Sequence, residues 1–260
     1  MTEIYHDTAS IEEIERWLGK GVVQGITTNQ KIFLDKAKGC NFEEQAKKIL
    51  QLVYPLPVSL EGPNNYDGII DAANRYSKWK GAAKSIPPYG KEFDNLVIKV
   101  PMLSNGDGLS AVTKLKRHKI KTNVTACMTL NQTFLAASAG ATYVSLFYNR
   151  MRDWKYIMLD PNWKKGDKQK PDLIKLATEY ALDTIDLTME LLEEEFCETK
   201  LIVGSIRSPQ DIEDILTAAP HIITIPTKIL DQMPFHPATN DALADFDKAW
   251  TEFCATEKKL

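Results

Sequence analysis

The chain has 260 residues, enough for one large α/β domain or two small ones, and its 43% hydrophobic and 26% charged residues are those of an ordinary globular protein. A formal net charge of −3 gives no electrostatic case for nucleic acid or for an anionic membrane. The longest apolar stretches, 222–225 and 141–147, are far too short to span a bilayer, and residues 1–7 show no basic segment followed by an apolar one, so no signal peptide is expected.

Strand-like runs recur along the chain at 3–6, 22–26, 56–60, 96–100, 120–124, 142–146, 201–204 and 222–225. The segments between them carry helical patterning. Ser10 stands as an N-cap before 11–18, with Glu13 three residues on in the spacing of a capping box. Gly106-Asp107-Gly108 is a turn signal. Residues 171–195 place Leu173, Leu176, Ala177, Tyr180, Ala181 and Leu191 at helical spacing. Ser208 and Pro209 open another helix. A terminal helix over 241–257 sets Leu243, Phe246, Trp250 and Phe253 on one face, either to cover the body of the protein or to meet another subunit. Two connections are long: 77–94, with Pro87-Pro88, and 152–171, rich in Lys and Asp and readable as a mobile flap.

Eight β-then-α units in a chain of this length predict an α/β protein, a (β/α)8 TIM barrel forming a single domain over 1–260 with a C-terminal helix. A doubly wound open sheet is the alternative, but no glycine-rich nucleotide fingerprint follows any strand. Cys40, Cys127, Cys197 and Cys254 stand far apart and form no CxxC pair, and the four histidines lack metal-ligand spacing. The expectation is a reduced, cytoplasmic protein with no metal and no cofactor.

Lys99 is out of place. It lies in Leu96-Val97-Ile98-Lys99-Val100-Pro101, a run that reads as a strand buried on both faces. An ammonium in a dry interior is costly, and a buried lysine that gives up its proton becomes a nucleophile toward carbonyls. The plain alternative is a lysine that snorkels to water or pairs with a carboxylate.

Barrel enzymes place their chemistry at the C-terminal ends of their strands. Read in order, those ends carry Asp7 and Thr8; Thr27, Thr28 and Asn29; Glu61; Lys99; Asn123 and Thr125; Ser145, Phe147, Asn149 and Arg150; and Ser205 and Arg207. One lysine, two carboxylates and two arginines thus fall where a barrel would converge.

These residues carry a resemblance to the transaldolase family, including its small members and the fructose-6-phosphate aldolases. Tyr5-His6-Asp7-Thr8 resembles the strand-one Asp-Thr of that family. Gly25-Ile26-Thr27-Thr28-Asn29 resembles its G-[VI]-T-T-N-P, with Gln30 in place of proline, and Val97-Ile98-Lys99-Val100-Pro101 resembles its Schiff-base lysine motif. Asn123-Val124-Thr125 is similar to its N-x-T, Ser145-Leu146-Phe147-Tyr148-Asn149-Arg150 to its S-P-[FY]-x-x-R, with Leu146 for proline, and Gly204-Ser205-Ile206-Arg207 to its A-S-[FI]-R.

The resemblance implies a transaldolase in which Lys99 forms an imine with a ketose phosphate, as in pentose phosphate metabolism. Asp7 moves the C4 hydroxyl proton, and Glu61 acts through a water held by Thr125. It implies that Asn29, Thr28, Asn123, Ser145 and Phe147 line the sugar site. Thr27 and Thr28 also read as structural, one of them facing the barrel, and Asn29 also reads as a turn or helix cap. Arg150, Ser205 and Arg207 would hold the anionic head group, helped by the N-terminus of the next helix. A sulfonate has similar geometry, so a sulfosugar donor stands as an alternative, as do a fructose-6-phosphate aldolase and a catalytically silent barrel. Glu61 and Phe147 match the transaldolases rather than the aldolases, where Gln and Tyr stand. The partners expected are small-molecule sugar phosphates or sulfosugars and further copies of the chain.

Overall fold

In the computed structural model, residues 1–82, 88, 90–164 and 166–257 are described. The eight strands are β1 (Glu3–Asp7), β2 (Gly25–Thr27), β3 (Val58–Glu61), β4 (Leu96–Pro101), β5 (Thr122–Cys127), β6 (Tyr143–Phe147), β7 (Lys200–Gly204) and β8 (Ile222–Pro226). All pair in parallel in chain order, and β8 returns to β1, which closes the barrel. The helices are α1 (Ile11–Leu18), α2 (Gln30–Lys36), α3 (Phe42–Val53), α4 (Tyr66–Tyr76), α5 (Asp107–Arg117), α6 (Leu130–Ser138), α7 (Tyr148–Leu159), α8 (Pro171–Glu195), α9 (Pro209–Leu216), α10 (Thr227–Leu230) and α11 (Pro237–Glu257). The fold is the (β/α)8 barrel with a C-terminal helix.

Side chains alternate across each strand, so one set points to the helices and the other into the barrel. The outward set (Ile26, Val58, Leu60, Leu96, Ile98, Val100, Val124, Val144, Leu146, Leu201, Val203, Ile223 and Ile225) joins the helices in one apolar core. The inward set is layered. Tyr5, Ile202 and Ile222, with Tyr143 against them, form a separate apolar plug at the N-terminal end. Gly25 belongs to that layer because a Cβ there would lie 2.6 Å from the Tyr5 ring. Above the plug the inward set turns polar.

Two local expectations are corrected. The connection from 152 is shorter than expected: α7 begins at Tyr148 and runs to Leu159, leaving a link of 160–170 before α8. Part of 77–94, including Pro87, lies outside the described residues. Ser10 caps α1 through the Glu13 amide, but the Glu13 carboxylate does not close the box. It accepts instead from Thr8 Oγ1 at 2.5 Å, Thr227 Oγ1 at 2.6 Å and Lys36 Nζ at 2.6 Å, joining α1 to α2 and α10. A full capping box occurs at α9, where Ser208 and Asp211 reciprocate.

Helix α11 begins at Pro237, earlier than periodicity predicts, and does not cover the barrel: Leu243, Phe246, Trp250 and Phe253 are all exposed.

Candidate active site

Lys99 sits on the inner face of β4 with 7% of its side chain exposed. Its Nζ donates to the Thr28 carbonyl at 3.0 Å and stands 4.0 Å from Glu61 Oε2. The β3–β4 register puts Glu61 directly beside Lys99, and the β4–β5 register puts Asn123 on its other side. Asp7 enters from β1. Burial pushes its carboxyl above the usual range, and the Lys99 cation and a Thr27 hydrogen bond oppose that rise. Burial likewise raises the Glu61 carboxyl, against Lys99 and the side chain of Gln30. One amine and two carboxyls therefore share a dry bowl, each carboxyl being a readier proton acceptor than a solvated one.

Two hydrogen-bond chains fix this centre. Thr27 Oγ1 donates to Asp7 Oδ1 at 2.6 Å. Its one proton is then committed, so the Thr224 hydroxyl on β8 supplies the proton in the bond between the two threonines. Across the bowl, Ser145 Oγ donates to Asn123 Oδ1 at 2.7 Å, and Asn123 Nδ2 donates to Ser59 Oγ at 3.2 Å. Thr125 Oγ1 is buried and has no hydrogen-bond partner among the described residues. It lies on the same strand face as Asn123, two residues on, which leaves a polar group for a ligand or water.

The threonine pair divides its work. Thr27 faces the barrel and Asp7. Thr28, fully buried, turns its hydroxyl to the Ser59 carbonyl at 2.7 Å and contributes its own carbonyl to Lys99. Asn29 is the N-cap of α2, its Oδ1 accepting from the Ile32 amide at 2.9 Å.

With this geometry in hand, comparison with known proteins is decisive. The family model described as Transaldolase/Fructose-6-phosphate aldolase matches residues 4–259. The chain belongs to this family. It is 33% identical to the "Probable transaldolase" of Thermoanaerobacter sp. (strain X514) over 248 residues, covering 95% of this chain and 96% of the relative. It is 32% identical to the "Probable transaldolase" of Lactiplantibacillus plantarum over 257 residues, covering 98% of this chain and 100% of that one. A similar match, 33% over 248 residues with 95% and 97% covered, joins it to the "Probable transaldolase" of Clostridium kluyveri.

As a member of the transaldolase/fructose-6-phosphate aldolase family the chain is an enzyme, and its rim on the β6–β7 side has its own design. Arg150 lies 5.8 Å over the Phe147 ring and has no carboxylate partner among the described residues. Arg207 is engaged: its NH1 and NH2 donate to Asp153 at 2.9 and 2.7 Å in a two-point pair. Ser205 adopts a left-handed backbone with φ of 66°, unusual for a side chain with a Cβ. Three hydrogen bonds fix that turn. Asn149 Nδ2 donates to the Ser205 carbonyl at 2.9 Å, and the buried Asp211 accepts from the Arg207 and Ser208 amides at 2.7 and 3.1 Å. Asp211 thus occupies the two amides just before α9.

Ser59, Thr224, Asp153 and Asp211 were absent from the expected site. Period two back from Glu61 would have pointed to Ser59. Thr224 needs the β1–β8 closure, which aligns it with Tyr5. Asp211 was signalled locally, three residues after the Ser208 cap, whereas Asp153 lies on α7 and only the folded chain brings it to Arg207.

Proposed function

We propose that this enzyme is a transaldolase that carries a dihydroxyacetone unit from a ketose phosphate to an aldose phosphate through an imine on Lys99. The observation that carries the reading is a nearly buried lysine 4.0 Å from one raised carboxyl and within electrostatic reach of another, inside a closed barrel. A neighbouring carboxylate takes the ammonium proton. The neutral amine attacks the C2 carbonyl, and water leaves as the protonated imine forms. Asp7 removes the proton of the C4 hydroxyl. The C3–C4 bonding pair passes to the imine as C4 becomes an aldehyde, which departs. The three-carbon enamine stays on Lys99 until an acceptor aldehyde enters and the steps reverse. Glu61 and Thr125 manage the water of imine formation and release.

Phe147 favours transfer over hydrolysis because its ring has no hydroxyl with which to hold a water at the intermediate. Arg150, Ser205 and Arg207 receive the phosphate. The substrates we assign are the sugar phosphates of pentose phosphate metabolism. We place the enzyme in the cytoplasm, whose reducing conditions suit four free cysteines. The exposed stripe of Leu243, Phe246, Trp250 and Phe253 on α11 supports a homo-oligomer, which light scattering checks.

The test is borohydride reduction in the presence of fructose 6-phosphate. A stable mass increase localised to Lys99, and its disappearance together with activity in Lys99→Met, is expected. An unmodified Lys99, with activity kept in Lys99→Met, rejects the mechanism.

A further inference from the structure

Gln30 stands where the resembling motif has proline, and the structure gives this side chain a task that proline could not perform. It is the first residue of α2, directly after the Asn29 cap. Its Nε2 donates to the Gly62 carbonyl at 2.7 Å and lies 3.3 Å from Asn64 Oδ1, on the loop that leaves β3 at Glu61. The loops after β2 and β3 are thus joined through one amide at the residue that follows Glu61. On its other side Glu61 faces Lys99 on β4.

We propose that Gln30 is a positioning residue for Glu61: by clamping Gly62 and Asn64 it holds the Glu61 carboxylate against Lys99 and shapes the wall of the pocket made by 62–65. This rests on the reading above that Glu61 handles the proton and water of imine turnover. The charged groups that bear on Glu61 are Lys99 directly and Asp7 through Lys99. The two Gln30 amide hydrogens go to Gly62 and Asn64, so Gln30 acts on Glu61 through the chain that follows it, holding the carboxylate beside the Lys99 cation that favours its ionised form.

Two substitutions isolate the amide. Gln30→Met keeps the length of the side chain. Gln30→Pro suits the backbone, because proline is favoured at the first helical position and Asn29 already has the extended conformation, φ −155° and ψ 173°, that precedes proline. Melting temperature confirms folding of both, and rates are measured across pH for wild type, Gln30→Met, Gln30→Pro and Glu61→Gln, with borohydride trapping on each.

The expected result is that Glu61→Gln removes an acidic limb from the kcat profile. Both Gln30 variants should move that limb to higher pH by about half a unit or more, because a Glu61 carboxylate no longer held beside Lys99 loses part of the cation's support for its ionised form, while Lys99 still traps substrate. A limb that vanishes in Glu61→Gln but stays in place in both folded Gln30 variants overturns the proposal and leaves the function intact. A limb indifferent to Glu61→Gln overturns the role of Glu61 itself, and the proposal with it.

Discussion

The two carboxyls that flank Lys99 are held by different parts of the molecule. Asp7 is fixed from inside the barrel: Thr27 on β2 donates to it, and Thr224 on β8 backs Thr27, so both supports are strand residues in the wall itself. Glu61 is fixed from outside, by a glutamine on a helix that reaches across to the loop after β3. A strand-borne support is rigid and tied to the closure of the sheet. A loop-borne one varies without disturbing the barrel. On the proposed mechanism, the acid of bond cleavage is held by the scaffold and the acid that handles water is held at the rim.

Removing the acids breaks the comparison most sharply. Asp7→Ala should leave imine trapping at Lys99 in place and slow carbon–carbon cleavage by about two to four powers of ten. Glu61→Gln should cost less, chiefly in imine formation and release, and equal losses in single-turnover cleavage would show the two acids to be interchangeable. Thr27→Val takes away the bond that favours ionised Asp7. Cleavage should fall about tenfold or more, the scale of a hydrogen bond to a charged group. The pH profile of single-turnover cleavage should carry an acidic limb from Asp7, and Thr27→Val should move it to higher pH, because a base with a raised pKa is lost sooner on acidification. Phe147→Tyr brings a hydroxyl to the rim and should raise hydrolytic release relative to transfer by about a few-fold, read as the ratio of free three-carbon product to exchanged aldose.

The smallest effect at neutral pH lies behind the wall. His6 alternates with Asp7 on β1 and faces the helices, where its Nε2 bonds Thr227 Oγ1 at 2.8 Å. Thr227 gives its proton to Glu13, so the His6 nitrogen is the donor, and Nδ1 is buried with no hydrogen-bond partner among the described residues. Burial lowers the imidazole from 6.5 to about 4. The unfolded chain takes up a proton that the folded one refuses, so stability is complete above pH 6.5 and is lost as pH falls towards 4. The loss amounts to about 3 kcal/mol at the acid end. His6→Gln, which keeps a donor near the Nε2 position, should flatten this part of the pH–stability curve in urea denaturation. An unchanged slope would remove His6 as its source.

Much of this molecule was written in local pattern. The strand runs, the caps at Ser10 and Ser208, and the polar residues at the strand ends follow from alternation, periodicity and side-chain chemistry, which act between near neighbours. The lysine inside an apolar strand was legible for the same reason: a strand buried on both faces has no solvent side on which to place a cation. What the chain could not declare by itself depended on closure and on partners distant in sequence. Only the β8–β1 pairing brings Thr224 to Thr27 and so to Asp7. Only the packing of α7 beside the loop after β7 gives Arg207 to Asp153. And the apolar face of α11 is evident from its spacing, but spacing cannot say what that face meets: in α8 such a stripe lies in the core, whereas in α11 it stands in solvent.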